Sequence, residues 1–251
     1  MRDWVRAMLG DRLDAGTVVV HLLGGPFVSI DARRIDVPEG SKRLLAFVAL
    51  NDGQVSRRHA AGTLWPEVVD LRAAGNLRSS LWRLNRTCAE LIDADKATLT
   101  LRDGVLVDAD LVSAWADRLE AGTATAADLA VHPSGTAALD LLPGWYDDWV
   151  LGERDRLRQR LLHALELMSG RLAEYSPGEA VSAALVAVAA EPLRESAQRA
   201  LIEAHIAHGN WGEAAHQFAA YRRLLADELG VEPHPALTGL LRPVLGGRRS
   251  A

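Results

Sequence analysis

The chain has 251 residues, room for two compact domains, and its 49% hydrophobic and 24% charged residues are the balance of an ordinary folded protein rather than a disordered one. A net charge of −5 excludes a protein whose whole surface binds nucleic acid, so the distribution of charge matters more than its total. A single cysteine, Cys88, excludes a disulfide framework, no apolar run reaches the length of a membrane span, and residues 1–16 carry charges without a signal-peptide core, so the expectation is a cytoplasmic protein with no membrane partner.

Trp4, Val5, Met8, Leu9 and Leu13 suggest a short packing helix. Residues 17–23 are β-rich, and Gly24-Gly25-Pro26, Asp31-Ala32 and Pro38 divide residues 27–30 and 34–37 into further short strands, which predicts a small antiparallel sheet. Over residues 41–50 apolar side chains recur at helical spacing up to the turn Asn51-Asp52-Gly53. Ser56 is placed to N-cap a short second helix carrying Ala60, Ala61, Leu64 and Trp65, which Pro66 ends. Leu77, Leu81, Leu84, Cys88 and Leu91, spaced four, three, four and three, predict a third helix over about residues 71–92 with one apolar stripe and Cys88 buried on it. Residues 97–101 and 105–107 alternate around Arg102-Asp103-Gly104, which reads as a hairpin with Arg102 at its tip.

Two helices, a third helix with a free face and a hairpin are the order of a winged helix-turn-helix, which points to double-stranded DNA. On the third helix Asn76, Ser79 and Arg83 are the candidate base readers. Lys42, Arg57, Arg58, Arg72, Arg78 and Arg86 are the candidate backbone clamps, and Arg102 is either a minor-groove wing residue or a plain turn residue. Residues 41–92 hold eight Lys/Arg against four acids, whereas residues 113–251 hold 13 basic and 18 acidic side chains. A modest basic patch on an acidic protein predicts weak DNA binding by one protomer. Trp82 lies one step off the apolar stripe, and its ring faces either DNA or the neighbouring domain.

Beyond the hairpin, residues 108–120 and 125–131 read as helices, His132-Pro133-Ser134-Gly135 and Leu142-Pro143-Gly144 as loop, and a long helix then runs to about Tyr175. Trp145, Tyr146 and Trp149 at its start read as core that docks the two domains rather than a ligand cage. Gly178-Glu179-Ala180 recurs as Gly212-Glu213-Ala214, 34 residues on, with Leu167 falling on Leu201 and Ala173 on Ala207, the tetratricopeptide period. Stacked helix pairs of this kind bind partners. The expected fold is mainly α with a small β component, divided into a winged helix-turn-helix over residues 1–107 and an all-α tetratricopeptide-like domain over residues 108–251.

Leu22-Leu23-Gly24 with Phe27-Val28, the Lys42 to Ala46 run, Val55-Ser56-Arg57, Leu64-Trp65-Pro66, Asn76-Leu77-Arg78 with Arg83-Leu84, and Leu142-Pro143-Gly144-Trp145-Tyr146-Asp147-Asp148-Trp149 together resemble the bacterial antibiotic-regulatory type of transcriptional activator. In that family an OmpR/PhoB-like winged helix precedes a bacterial transcriptional activator domain. The resemblance implies an activator that binds repeated half-sites as a homodimer or cooperative assembly and recruits RNA polymerase. The chain departs from the family at Asn85, where the recognition helix usually carries arginine, and at Val105, where the wing usually carries tyrosine. These departures and the acidic balance keep open a protein-interaction adaptor of the same architecture that has lost DNA binding.

Catalysis and cofactors are not expected. The chain has no Gly-x-x-x-x-Gly-Lys-Ser/Thr loop, so the nucleotide switch of larger relatives is not expected, and it has no Gly-x-Ser-x-Gly elbow. His205, His208 and His216 lack the companion ligands that a metal site needs.

Overall fold

The computed structural model describes residues 3–9, 16–88 and 91–241. Leu13, Ala89 and Glu90 lie outside the described residues. Contacts divide the chain into two compact units, the first comprising Met1–Ser113 with Asp140–Leu157 and the second Ala114–Leu139 with Arg158–Ala251.

The first unit opens on helix α1 (Asp3–Leu9), whose Trp4 and Val5 are buried. Strands β1 (Val18–His21) and β2 (Phe27–Ile30) pair antiparallel, as do β2 and β3 (Arg33–Ile35). The β2–β3 turn is Asp31-Ala32 with φ of 50° and 61°, the two positive dihedrals that match a two-residue turn to the strand twist. Helix α2 (Glu39–Leu50) buries Leu44, Leu45, Phe47 and Val48 and ends at Asn51, whose side-chain amide donates to the Phe47 carbonyl at 2.7 Å. Strand β4 (Gln54–Ser56) leads into α3 (Arg57–Leu64), where the Ser56 hydroxyl accepts the His59 N–H at 3.2 Å and so caps the first turn. Helix α4 (Asp70–Thr87) buries Ala73, Leu77, Ser80 and Leu84, and Cys88 is buried just beyond it.

The expected hairpin after α4 is replaced by a different pairing. Ile92-Asp93-Ala94 forms β5 (Ile92–Ala94), which pairs antiparallel with β6 (Thr98–Leu101), and the other edge of β6 pairs with β4. With both edges of β6 occupied, β7 (Val105–Val107) cannot join it and instead runs parallel to β1, giving the sheet order β3-β2-β1-β7. The wing is therefore β5–β6, with its tip at residues 95–97.

Residues 140–157 complete this unit. Leu141 bridges to Leu23, Gly24 N–H donates to the Asp140 carbonyl at 3.0 Å, and Arg154 holds the Leu141 carbonyl at 2.7 Å. Trp149 is half-buried and packs edge-on against Phe47 at 5.1 Å between ring centroids, within the first unit, while Tyr146 is exposed.

Helix α5 (Asp108–Glu120) carries Trp115 into the second unit, where its indole N–H donates to the Asp128 carbonyl at 2.9 Å. Helices α6 (Ala126–Leu129), α7 (Asp148–Leu172), α8 (Pro177–Ala190), α9 (Glu195–Ala207), α10 (Trp211–Leu229) and α11 (Pro235–Leu240) follow. The 34-residue echo is a structural repeat. Gly178 and Gly212 both fall in the first turn of the second helix of a pair, and Ala180 and Ala214 are both fully buried. Ile202, Phe218, Tyr221, Leu225 and Leu237 form a continuous core across α9, α10 and α11.

Asp128 pins the short α6. The Arg118 guanidinium donates to it at 2.6 and 3.0 Å and Thr125 closes a capping box, which together hold its carboxyl down at about 2. A depressed folded pKa stabilises above the unfolded value near 3.8 and is lost as pH falls through about 2. Asp128→Asn is expected to cost about 1 to 2 kcal/mol at neutral pH, screened by the partly exposed Arg118, and to flatten the acid limb between pH about 4 and about 2. Melting curves across that window check this, and an unchanged acid limb would contradict it.

Candidate nucleic-acid interface

The Ser56 cap places Arg57 and Arg58 in the first turn of α3. Arg57 is tied to the wing, its backbone N–H donating to the Ala97 carbonyl at 2.8 Å and its guanidinium to the Asp95 carbonyl at 3.3 Å. Asp95 builds the wing tip by accepting the N–H groups of Ala97 and Thr98, each at 2.6 Å, and the Thr98 hydroxyl at 2.7 Å. The Thr98 backbone N–H leads the interactions that hold this carboxyl below its usual range. Lys96 is exposed at the tip. Arg57, Arg58, Arg78 and Lys96 thus converge from α3, α4 and the wing on one groove of about 500 Å³, which Ala61, Gly62, Ala74 and a single carboxylate, Asp70, also line.

Helix α4 is fixed on its inner side by reciprocal hydrogen bonds. The Ser41 hydroxyl donates to the Ser80 carbonyl and the Ser80 hydroxyl to the Gly40 carbonyl, both at 2.8 Å. Its outer side then follows from helical geometry. Arg72, Ser79, Trp82 and Arg86 are exposed there, with the half-buried Gly75 between Arg72 and Ser79. A Cβ on Gly75 would meet nothing nearer than the Arg78 guanidinium at 3.8 Å, so internal packing gives no reason for a glycine in mid-helix.

Asn76, Ser79 and Arg83, spaced three and four apart, share one flank of α4. Ser79 is exposed and Asn76 half-buried, while the exposed Arg83 guanidinium donates to the Ser80 hydroxyl at 3.3 Å beside Gly40. On α2, Lys42 is ion-paired with Glu39 at 2.5 Å, away from the four-cation groove. Arg72 and Arg86 lie on the outer line. The structure therefore separates the predicted cations into a groove set, an outer-line set and Lys42.

Arg102 is the misplaced member. It follows β6 at the open end of the β5–β6 hairpin, opposite the tip, where its N–H donates to the Leu91 carbonyl at 2.9 Å and its guanidinium meets Asp93 at 3.4 Å. Lys96 occupies the tip position instead, and the Asp95-x-Ala97-Thr98 turn chemistry was the signal for it. Asn85 also acquires a role, since its side-chain amide donates to the Ile92 carbonyl at 2.9 Å and its carbonyl accepts the Ile92 N–H at 3.4 Å. It fastens the end of α4 to the first strand of the wing.

Among the described residues no group of three or more His, Cys, Asp or Glu is arranged to hold a metal, and no helix is long and apolar enough to cross a membrane.

Residues 109–245 match the bacterial transcriptional activator domain. The chain is 30% identical over 221 residues to the regulatory protein AfsR of Streptomyces griseus and 31% identical over 214 residues to AfsR of Streptomyces coelicolor. Each alignment covers 81% of this chain but 22% of the relative, so the chain spans under a quarter of those proteins' length. The structure of Mycobacterium tuberculosis EmbR in complex with a low affinity phosphopeptide has the same fold, with a TM-score of 0.68 over 92% of this chain and 65% of that one at 18% identity. Fold and comparisons define an N-terminal winged helix-turn-helix followed by an all-α tetratricopeptide-like domain. The chain belongs to the bacterial transcriptional activator domain family.

Proposed function

We propose that this chain is a sequence-specific activator that binds double-stranded DNA, places α4 in the major groove and recruits RNA polymerase near a promoter. The observation that carries this reading is the convergence of Arg57, Arg58, Arg78 and Lys96 beside the exposed line of α4. Four cations from three elements, spread along one groove, suit a phosphate backbone passing between the α3 N-terminus and the wing tip. Ser79, Asn76 and Arg83 are then the groups nearest base edges, and Arg72 and Arg86 flank them as clamps. Lys42 joins the clamps only by releasing Glu39. Gly75 admits a close approach of DNA to the helix backbone.

Residues 1–107 supply the DNA-reading elements in this account, and residues 108–251 supply the assembly surface. A basic excess this small gives one protomer a weak hold, so repeated half-sites and a second protomer raise the affinity. The protein acts inside the cytoplasm on duplex DNA, without a cofactor and without catalysis.

Arg83 tests the base-reading part. The full chain is used to enrich a duplex from a randomised pool, and Arg83→Ala is titrated against that duplex and a scrambled one. Loss of about 1 to 3 kcal/mol on the enriched duplex alone is expected, with relaxed preference at one base position. Equal loss on both duplexes would make Arg83 a backbone contact and overturn this assignment.

A further inference from the structure

Trp82 is 61% exposed although tryptophan is the side chain with most to gain from burial. Its ring carries a second group, since the Arg86 guanidinium carbon sits 5.1 Å from the ring centroid in a cation–π contact one turn further along α4. The stack orders two long side chains on the exposed face of α4, about three turns from the exposed Leu71. Trp82 lies three residues after Ser79, seven after Gly75 and four before Arg86, so it occupies the outer line of α4, opposite Leu77 and Leu84.

We propose that Trp82 and Arg86 are a paired base reader, in which the indole covers the C5-methyl of a thymine in the major groove and the arginine, held on the ring, donates to the adjacent base. The inference rests on the DNA-binding reading given above and moves Arg86 from the backbone clamps of that reading to the base readers. The thymine methyl is the apolar feature that a major-groove base edge presents, and an exposed indole is its natural cover. The arginine brings the fork of donors that guanine N7 and O6 accept. Without the ring, Arg86 would lose the surface that holds it in place, and its contact would become a mobile one with phosphate. A thymine beside a guanine is the base step this pair selects.

The test uses the full chain as wild type, Trp82→Ala and Trp82→Phe, each enriching duplexes from a randomised pool. The wild type is expected to enrich a site with a fixed thymine at a position where Trp82→Ala shows no preference. Replacing that thymine by deoxyuridine removes only the methyl group, which should weaken the wild type about fourfold and Trp82→Ala not at all, with Trp82→Phe between them. Because Trp82 lies on the surface, melting temperature should stay unchanged in both variants. If Trp82→Ala enriches the same site and suffers the same deoxyuridine loss as the wild type, the inference falls and the ring is left facing a protein partner. If the wild type enriches no sequence, the DNA-binding reading itself falls, and this inference with it.

Discussion

Replacing Arg57, Arg58 and Arg78 together by alanine is expected to weaken binding of every duplex, enriched or scrambled, by about a hundredfold at physiological salt. All three line the groove between α3, α4 and the wing tip, so each lost cation removes one released counterion. The slope of log affinity against log salt should become shallower by about 0.9 per contact, close to 3 in all. Sequence preference should survive, because the outer line of α4 is untouched. Titrations of both proteins over a salt series check this, and an unchanged slope would move the phosphate contacts elsewhere.

Asp108→Ala is expected to cost about 3 to 5 kcal/mol. The carboxylate is buried between β1 and the start of α5, where one oxygen accepts the Leu22 N–H at 2.8 Å and the other lies 3.5 Å from His21 Nδ1. Leu23 N–H also donates to it, at 3.2 Å. Truncation leaves two backbone donors and a histidine, itself hydrogen-bonded to Ser29 at 2.8 Å, without their common acceptor. Urea unfolding followed by a probe in the first unit measures this. A loss under about 1 kcal/mol would mean that water or another group replaces the carboxylate.

The contact units bear on how such experiments are built. Leu141, Leu142 and Val150 are buried in the first unit although they follow α5 and α6 in the chain. A fragment ending near residue 110 would expose that core, so DNA binding is best measured on the whole chain.

Local signals accounted for much of this molecule. The periodicity of residues 41–50, the Ser56 cap and the four-three spacing of the Leu77 to Leu91 stripe carry α2, α3 and α4, because each helix buries a stripe that its own spacing records, although α4 ends at Thr87 rather than near residue 92, where β5 begins. The 34-residue echo carries the paired helices for the same reason. Nonlocal pairing was not legible. Val105–Val107 has the alternation of a strand, but nothing in it says that β1 rather than β6 is its partner, and the three residues of β5 are too few to show a period. Without that pairing the hairpin tip falls on Arg102 rather than on residues 95–97, and nothing singles out Lys96. Residue type identifies Arg57, Arg58 and Arg78, whereas their convergence with Lys96 depends on that same pairing. Cys88 and Asn85 show the two outcomes side by side, one buried where its stripe placed it and the other turned from the groove to the Ile92 backbone.

The placement of α4 in a major groove is tested most directly by methylation interference. An enriched duplex is lightly methylated at guanine N7, which projects into the major groove, and at adenine N3, which projects into the minor groove, and the fractions bound and unbound by the full chain are compared. Guanine N7 methylation within each half-site should exclude DNA from the bound fraction, and adenine N3 methylation should interfere only where the Lys96 tip flanks the site. Binding indifferent to N7 methylation, or no duplex enriched at all, would contradict the account and leave this architecture as an adaptor that binds proteins.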